Sequence, residues 1–268
     1  MAVNPIGKEI SSWENKLEAQ SANDFERIYD ALEKQTMIRL NQSSKQEWFR
    51  MVDTLLFHSH AYLQGSALQK EARERLIAQG RIFLPEINSI EDMQSLSIEQ
   101  SSYISTQEMA KGRLYAMAQG GAAGTGGVLL LGTDFPLQVI MNLRLVQLIA
   151  MGFGREIRRP IEMMLSLKVF QAATLPRRMQ WNAWQSLLTE TRSASDYMYQ
   201  GNDELVDDKW LHEPIKQAVK SLLILKVRKK VVQGIPLLGI AAGAAWNYRL
   251  AKRVGEFSLR YYQKRCLL

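Results

Sequence analysis

One cysteine and three histidines in 268 residues leave little material for disulfide or metal chemistry. The lone thiol, Cys266, excludes an intramolecular disulfide framework and agrees with a reducing compartment. His58 and His60 lie two apart, so on a helix they diverge by about 200° and do not converge on one ion. His212 has no Ser or Cys nucleophile in motif context, and no hydrolytic triad is expected. No metal and no cofactor is expected. The opening residues MAVNPIGKEISSW hold no apolar run of signal-peptide length, and Ala2 stands where myristoylation needs a glycine. Cys266-Leu267-Leu268 falls one residue short of a prenylation box. The expectation is a cytoplasmic chain whose membrane contact, if any, is made by the fold.

Strand signals are scarce too: no alternating β-branched run is closed by Asn-Gly or Asp-Gly. Helical spacing takes their place. Ile10, Trp13 and Leu17 recur at the three-to-four step, as do Phe25, Ile28 and Leu32, then Phe49, Val52, Leu55 and Leu56. Pro85 and Asn88 interrupt the pattern before Ser89 offers an N-cap. That break divides an N-terminal helical region, 1–85, from a helical core, 86–268. Residues 193–208 are polar and acidic and read as a connecting loop; helix resumes near Lys209 and, past Gly234-Ile235-Pro236, runs to the end. With 46% apolar residues the chain has ample material for a buried core, and the fold predicted is an all-α, multi-helix bundle.

Two uncharged, glycine-rich segments, 114–133 and 231–248, are its centre. Residues 114–133 carry no charge over a length that would cross a bilayer core, but six glycines make a poor lone helix, each costing about 1 kcal/mol relative to Ala. Gly120 and Gly124 form one GxxxG pair, and Gly239 and Gly243 form another. Small residues four apart flatten a helix face for close packing, which fits a buried soluble hairpin or one inserted in a membrane. GGAAGTGG does not match a phosphate cradle: no Lys-Ser/Thr follows, and Leu129 stands where the dinucleotide fingerprint needs glycine. In the next helix Thr133 or Asp134 is expected as N-cap, Pro136 in the first turn and Gly152 or Gly154 as terminator.

Charge is unevenly spread. From Lys209 to Leu268, 13 Lys and Arg face only Glu213 and Glu256, giving +11, so the first 208 residues sum to −4. Lys226, Arg228, Lys229 and Lys230 precede the second apolar segment, and Arg249, Lys252 and Arg253 follow it. Positive charge at both ends defeats a positive-inside assignment but suits a helix end among anionic headgroups, with lysines reaching outward. Trp246, Tyr248, Phe257, Tyr261 and Tyr262 are read chiefly as core, and without a reader motif nucleic acid is not an expected partner.

The stretches 120–154 and 234–268 together resemble the EcsC protein family. The resemblance rests on a glycine-rich approach to Asp-x-Pro, an Asn-Leu-Arg step, a closing aromatic-Gly and a late Ile-Pro-x-x-Gly followed by Asn. These fall on Gly126, Gly127, Asp134, Pro136, Asn142, Arg144, Gly154, Ile235, Pro236, Gly239 and Asn247. Residue 153 is Phe where many relatives carry Tyr. The family is named for a gene beside an ABC-type exporter, so the resemblance implies a bacterial helical protein near the cytoplasmic membrane.

Asp134, Asn142, Arg144 and Asn247 form the candidate polar cluster. Asp134 and Arg144, ten residues apart, cannot pair along one helix. Asp134 is open to helix capping or to a ligand or proton-transfer role, and Arg144 to a buried structural pair or an anionic partner. No complete catalytic signature is present. The expected function is a membrane-associated accessory protein on an anionic membrane face or a membrane transporter; the alternative is a hydrolase acting on a lipid or peptide, built around the polar cluster.

Overall fold

Of the expected set, Ile10 and Leu17 are buried and Trp13 is partly buried against the core, with Ile6 joining them on helix α1 (Pro5–Glu18), which opens on proline, where a missing N–H is harmless. The computed structural model describes residues 5–19, 63, 65–125, 127–175, 177–197 and 236–268, excepting the side chains of 120–136, 178, 193–197, 236–243 and 246. Among the described residues every regular element is helical: α1, α2 (Ala67–Phe83), a short 3-10 helix (Glu91–Ser95), α3 (Ile98–Thr125), α4 (Gly127–Gly152), α5 (Pro160–Thr174), α6 (Arg177–Tyr197) and α7 (Pro236–Leu267). The chain folds as an all-α bundle. The helical repeats at Phe25–Leu32 and Phe49–Leu56, and Lys226, Arg228, Lys229 and Lys230, lie outside the described residues.

Three helices form the centre. α3 and α4 pair antiparallel, with Gly112 against Leu145 and Gly152 against Ser105. α7 lies along both, antiparallel to α3 and parallel to α4. Gln263 Nε2 donates to Ser102 Oγ at 2.9 Å near one end, and the Arg113 guanidinium sits 6.0 Å over the Tyr248 ring nearer the other. A Cβ on Gly112 would stand 2.9 Å from Leu145, and one on Gly255 would stand 3.1 Å from Met109 and 3.4 Å from the same leucine. Leu145 is thus wedged between two helices whose backbones approach because glycine lets them.

Around this trio, α5 and α6 cover one side and α1 packs on α6 and α7. The rings of Trp13, Trp184 and Phe257 meet edge to face, with centroids 4.9 to 5.6 Å apart. Glu14 accepts from Trp184 Nε1 at 3.0 Å and pairs with Lys264, tying α1 to both neighbours. Phe257, Tyr261 and Tyr262 are buried in the core, as their reading as core residues required.

The break after α2 is present. Leu84 turns extended beyond Phe83; Ser89 Oγ accepts from the Asp92 N–H, and the Asp92 carboxylate accepts from Asn88 and Ser89. α3 then starts with a reciprocal box, Ser97 Oγ accepting from Gln100 N–H and Gln100 Oε1 from Ser97 N–H.

Two expectations are corrected. α4 begins at Gly127, so Thr133 and Asp134 are interior positions of the helix and not its cap. Leu129, Leu130 and Leu131 are strong helix formers that start the turn upstream, and the proline removes only one backbone bond. α6 continues to Tyr197 across the first residues of the expected loop, for no glycine or proline stops it there.

Candidate functional site

The α3–α4 hairpin has an apolar end. Leu114 and Tyr115 are each 59% exposed, Met117 42% and, on α4, Leu137 46%. Leu114, Tyr115 and Met117 fall within the uncharged segment 114–133, and Leu137 comes just after it. On α7, Arg249 and Lys252 are exposed close in level to Arg113 and Tyr248, and Arg253 is half-buried. Among the described residues no helix is long and apolar enough to cross a membrane.

Just inside this end, Gln138 joins two residues of the polar cluster. Its Nε2 donates to Asn247 Oδ1 at 2.8 Å across the α4–α7 contact, and its carbonyl accepts from Asn142 Nδ2 at 2.8 Å. Both asparagines are buried, and among the described residues Asn142 Oδ1 and Asn247 Nδ2 have no hydrogen-bond partner. Each such orphan lowers stability by about 1–3 kcal/mol, and the buried Tyr262 hydroxyl toward the other end of the same seam is likewise unpartnered among the described residues.

Arg144 belongs elsewhere. Its Nη2 donates to the Leu68 carbonyl of α2 at 3.0 Å, beside Glu108, which both Arg75 and Lys111 grip. Burial depresses the Arg144 pKa, and the nearby Arg75 charge adds to that while Glu108 opposes it. The structure therefore brings Asn142 and Asn247 together through Gln138 and sends Arg144 to another face. The backbone of Asp134 lies in α4, and its side chain lies outside the described residues.

At the opposite end of α4 the chain reverses through Gly154, whose φ is +72°. Gly154 N–H donates to the Met151 carbonyl at 2.9 Å and Arg155 N–H to the Ala150 carbonyl at 3.0 Å, the two bonds of a Schellman stop. The terminator expected at Gly152 or Gly154 is thus Gly154. Phe153 stacks on Tyr262 at 6.2 Å, and Gln94 Nε2 donates to the Gly154 carbonyl at 2.9 Å.

That turn faces a cavity of about 480 Å³ whose lining includes Arg155, Arg159, Arg192, Arg265, Glu156 and Glu162. Glu162 receives two bonds from Arg265, and Glu156 two from Arg73 with a third from the Arg158 N–H. Burial raises the Glu156 carboxyl pKa, but Arg73 and the Arg158 amide outweigh it and hold the group below its ordinary value. Thr191 bonds the Tyr261 hydroxyl at 2.7 Å beneath. The sequence hides this site because its residues come from four separate segments; the one local cue is a carboxylate, Glu162, beside the apolar run of α5. No group of three or more described His, Cys, Asp or Glu residues is placed to hold a metal.

A family model described as the EcsC protein family matches residues 6–267. Among curated proteins, Protein EcsC of Bacillus subtilis (strain 168) is 22% identical over 179 residues, covering 66% of this chain and 68% of that protein. No solved structure matches.

Proposed function

Because the chain belongs to the EcsC protein family, we propose that it works as a membrane-associated accessory protein whose hairpin end rests on the anionic inner face of the cell membrane. The observation that carries this is the exposed set Leu114, Tyr115, Met117 and Leu137, in and beside the uncharged segment, with the exposed Arg249 and Lys252 on the neighbouring stretch of α7. Apolar and aromatic side chains enter the headgroup boundary, while basic ones pair with anionic lipid at about 1 kcal/mol each. A membrane transporter would be met on the same face. The hydrolase alternative gains no support, since Arg144 and Asn247 face different helices.

Co-sedimentation with phosphatidylcholine vesicles, with and without phosphatidylglycerol, tests the reading. The protein should pellet with anionic vesicles at low salt, and R249E/K252E should weaken binding by about tenfold or more. Recovery of the wild type wholly in the supernatant at low salt would refute it.

A further inference from the structure

We propose that the arginine-lined cavity at the end remote from the hairpin binds the oxyanion of a small soluble molecule, phosphate or carboxylate, with Arg155 as its principal partner. Four arginines line the cavity against Glu91, Glu156 and Glu162, and each glutamate is already paired, with Arg159, Arg73 and Arg265 respectively. An incoming anion therefore meets no uncommitted glutamate, although Leu268 also lines the cavity. Arg155 makes no ion pair among the described residues, and its buried Nε has no hydrogen-bond partner. The Cys266 thiol lies near it: burial pushes the thiol pKa up, and the Arg155 guanidinium works against that. The Schellman stop at Gly154 fixes where Arg155 leaves the backbone, so the cation is preorganised at the cavity wall.

The first turn of α5 supports the same ligand. Arg159 is its N-cap position and makes no side-chain cap bond, so the amides of Ile161 and Glu162, both lining the cavity, sit at the positive end of a 15-residue helix. Arginine forks and uncapped amides together fit a tetrahedral or planar oxyanion. The volume suits a small molecule. From Leu137 to Gly154 the helix axis covers about 25 Å, which places the cavity away from headgroups under the hairpin and makes a soluble molecule the source.

The test is thermal unfolding of the full chain in sodium phosphate, and separately sodium citrate, against sodium chloride of equal ionic strength. A saturable rise in Tm beyond that in chloride, lost in R155Q and kept in R249E/K252E, is the expected result. No excess over chloride, or the same rise in R155Q, overturns the proposal. If R155Q does not fold, saturable broadening of the phosphate phosphorus resonance by wild-type protein, reversed by citrate, supports the site and its absence overturns it. Binding to phosphatidic acid vesicles that requires Arg155, with no effect of free phosphate or citrate, would assign the site to a headgroup and overturn the soluble source. Because R249E/K252E leaves the cavity intact, failure of membrane docking and failure of anion binding are separable.

Discussion

Glu162 and Arg265, 103 positions apart in the chain, meet in a two-bond ion pair at 2.6 and 2.7 Å. Both side chains are largely buried, at 8% and 14% exposure. Burial alone would depress the Arg265 pKa, but Glu162 more than reverses this and the guanidinium is held firmly charged. The pair locks the last turn of α7 to the first turn of α5, with the acid at a helix N-terminus and the base at a C-terminus, the favourable end for each.

Breaking that pair from one side should therefore be severe. R265A is expected to lower unfolding free energy by about 3–5 kcal/mol, because it strands a buried carboxylate. R265L combined with E162L should lose clearly less than the sum of the two single changes. Urea unfolding of the four proteins checks both statements.

Glycine substitutions separate conformational need from mere presence. A Cβ on Gly154 would stand 2.4 Å from Gln94 Cγ and 2.5 Å from its backbone nitrogen, at a φ of +72°. G154A should cost about 2 kcal/mol or more. Gly65 has nothing within 4 Å of a built Cβ, so G65A should be neutral or stabilising. Denaturation midpoints of the two variants should move in opposite directions, or only the first should move.

Acid should weaken the fold through Glu108 and Glu156. Burial raises the Glu108 pKa, but the hydrogen bonds and charges of Arg75 and Lys111 outweigh it, so its folded value lies below the ordinary 4.5. Glu156 is lowered in the same sense. A depressed folded pKa gives stability that is complete above the unfolded value and is lost as pH falls through it toward the folded one. Urea midpoints should hold above about pH 6 and decline below about pH 5, and E108Q should flatten that decline while lowering stability at neutral pH.

The bundle was legible where a local pattern is also the packed one. Ile10 and Leu17 face the core at the spacing that announced α1, and Gly154 ends α4 because only a left-handed residue closes that turn. The family marks Asn142 and Asn247 do converge, through Gln138, which no motif contains. Arg144 could not have joined Asn142, for two residues apart on a helix they point some 200° apart. The cap cue at Asp134 was outweighed by the leucines before it. The cavity was invisible because Glu162 and Arg265 become neighbours only through the docking of α7, a contact that no local pattern encodes.

The most direct test of the membrane account is a polarity-sensitive fluorophore placed at each end of the bundle. Cys266, the only thiol, is exposed at the cavity end; M117C in a C266S background puts the label at the hairpin end. On adding phosphatidylglycerol vesicles, emission from position 117 should shift to the blue while emission from Cys266 stays unchanged. No shift at 117, or an equal shift at both positions, would contradict docking through the hairpin.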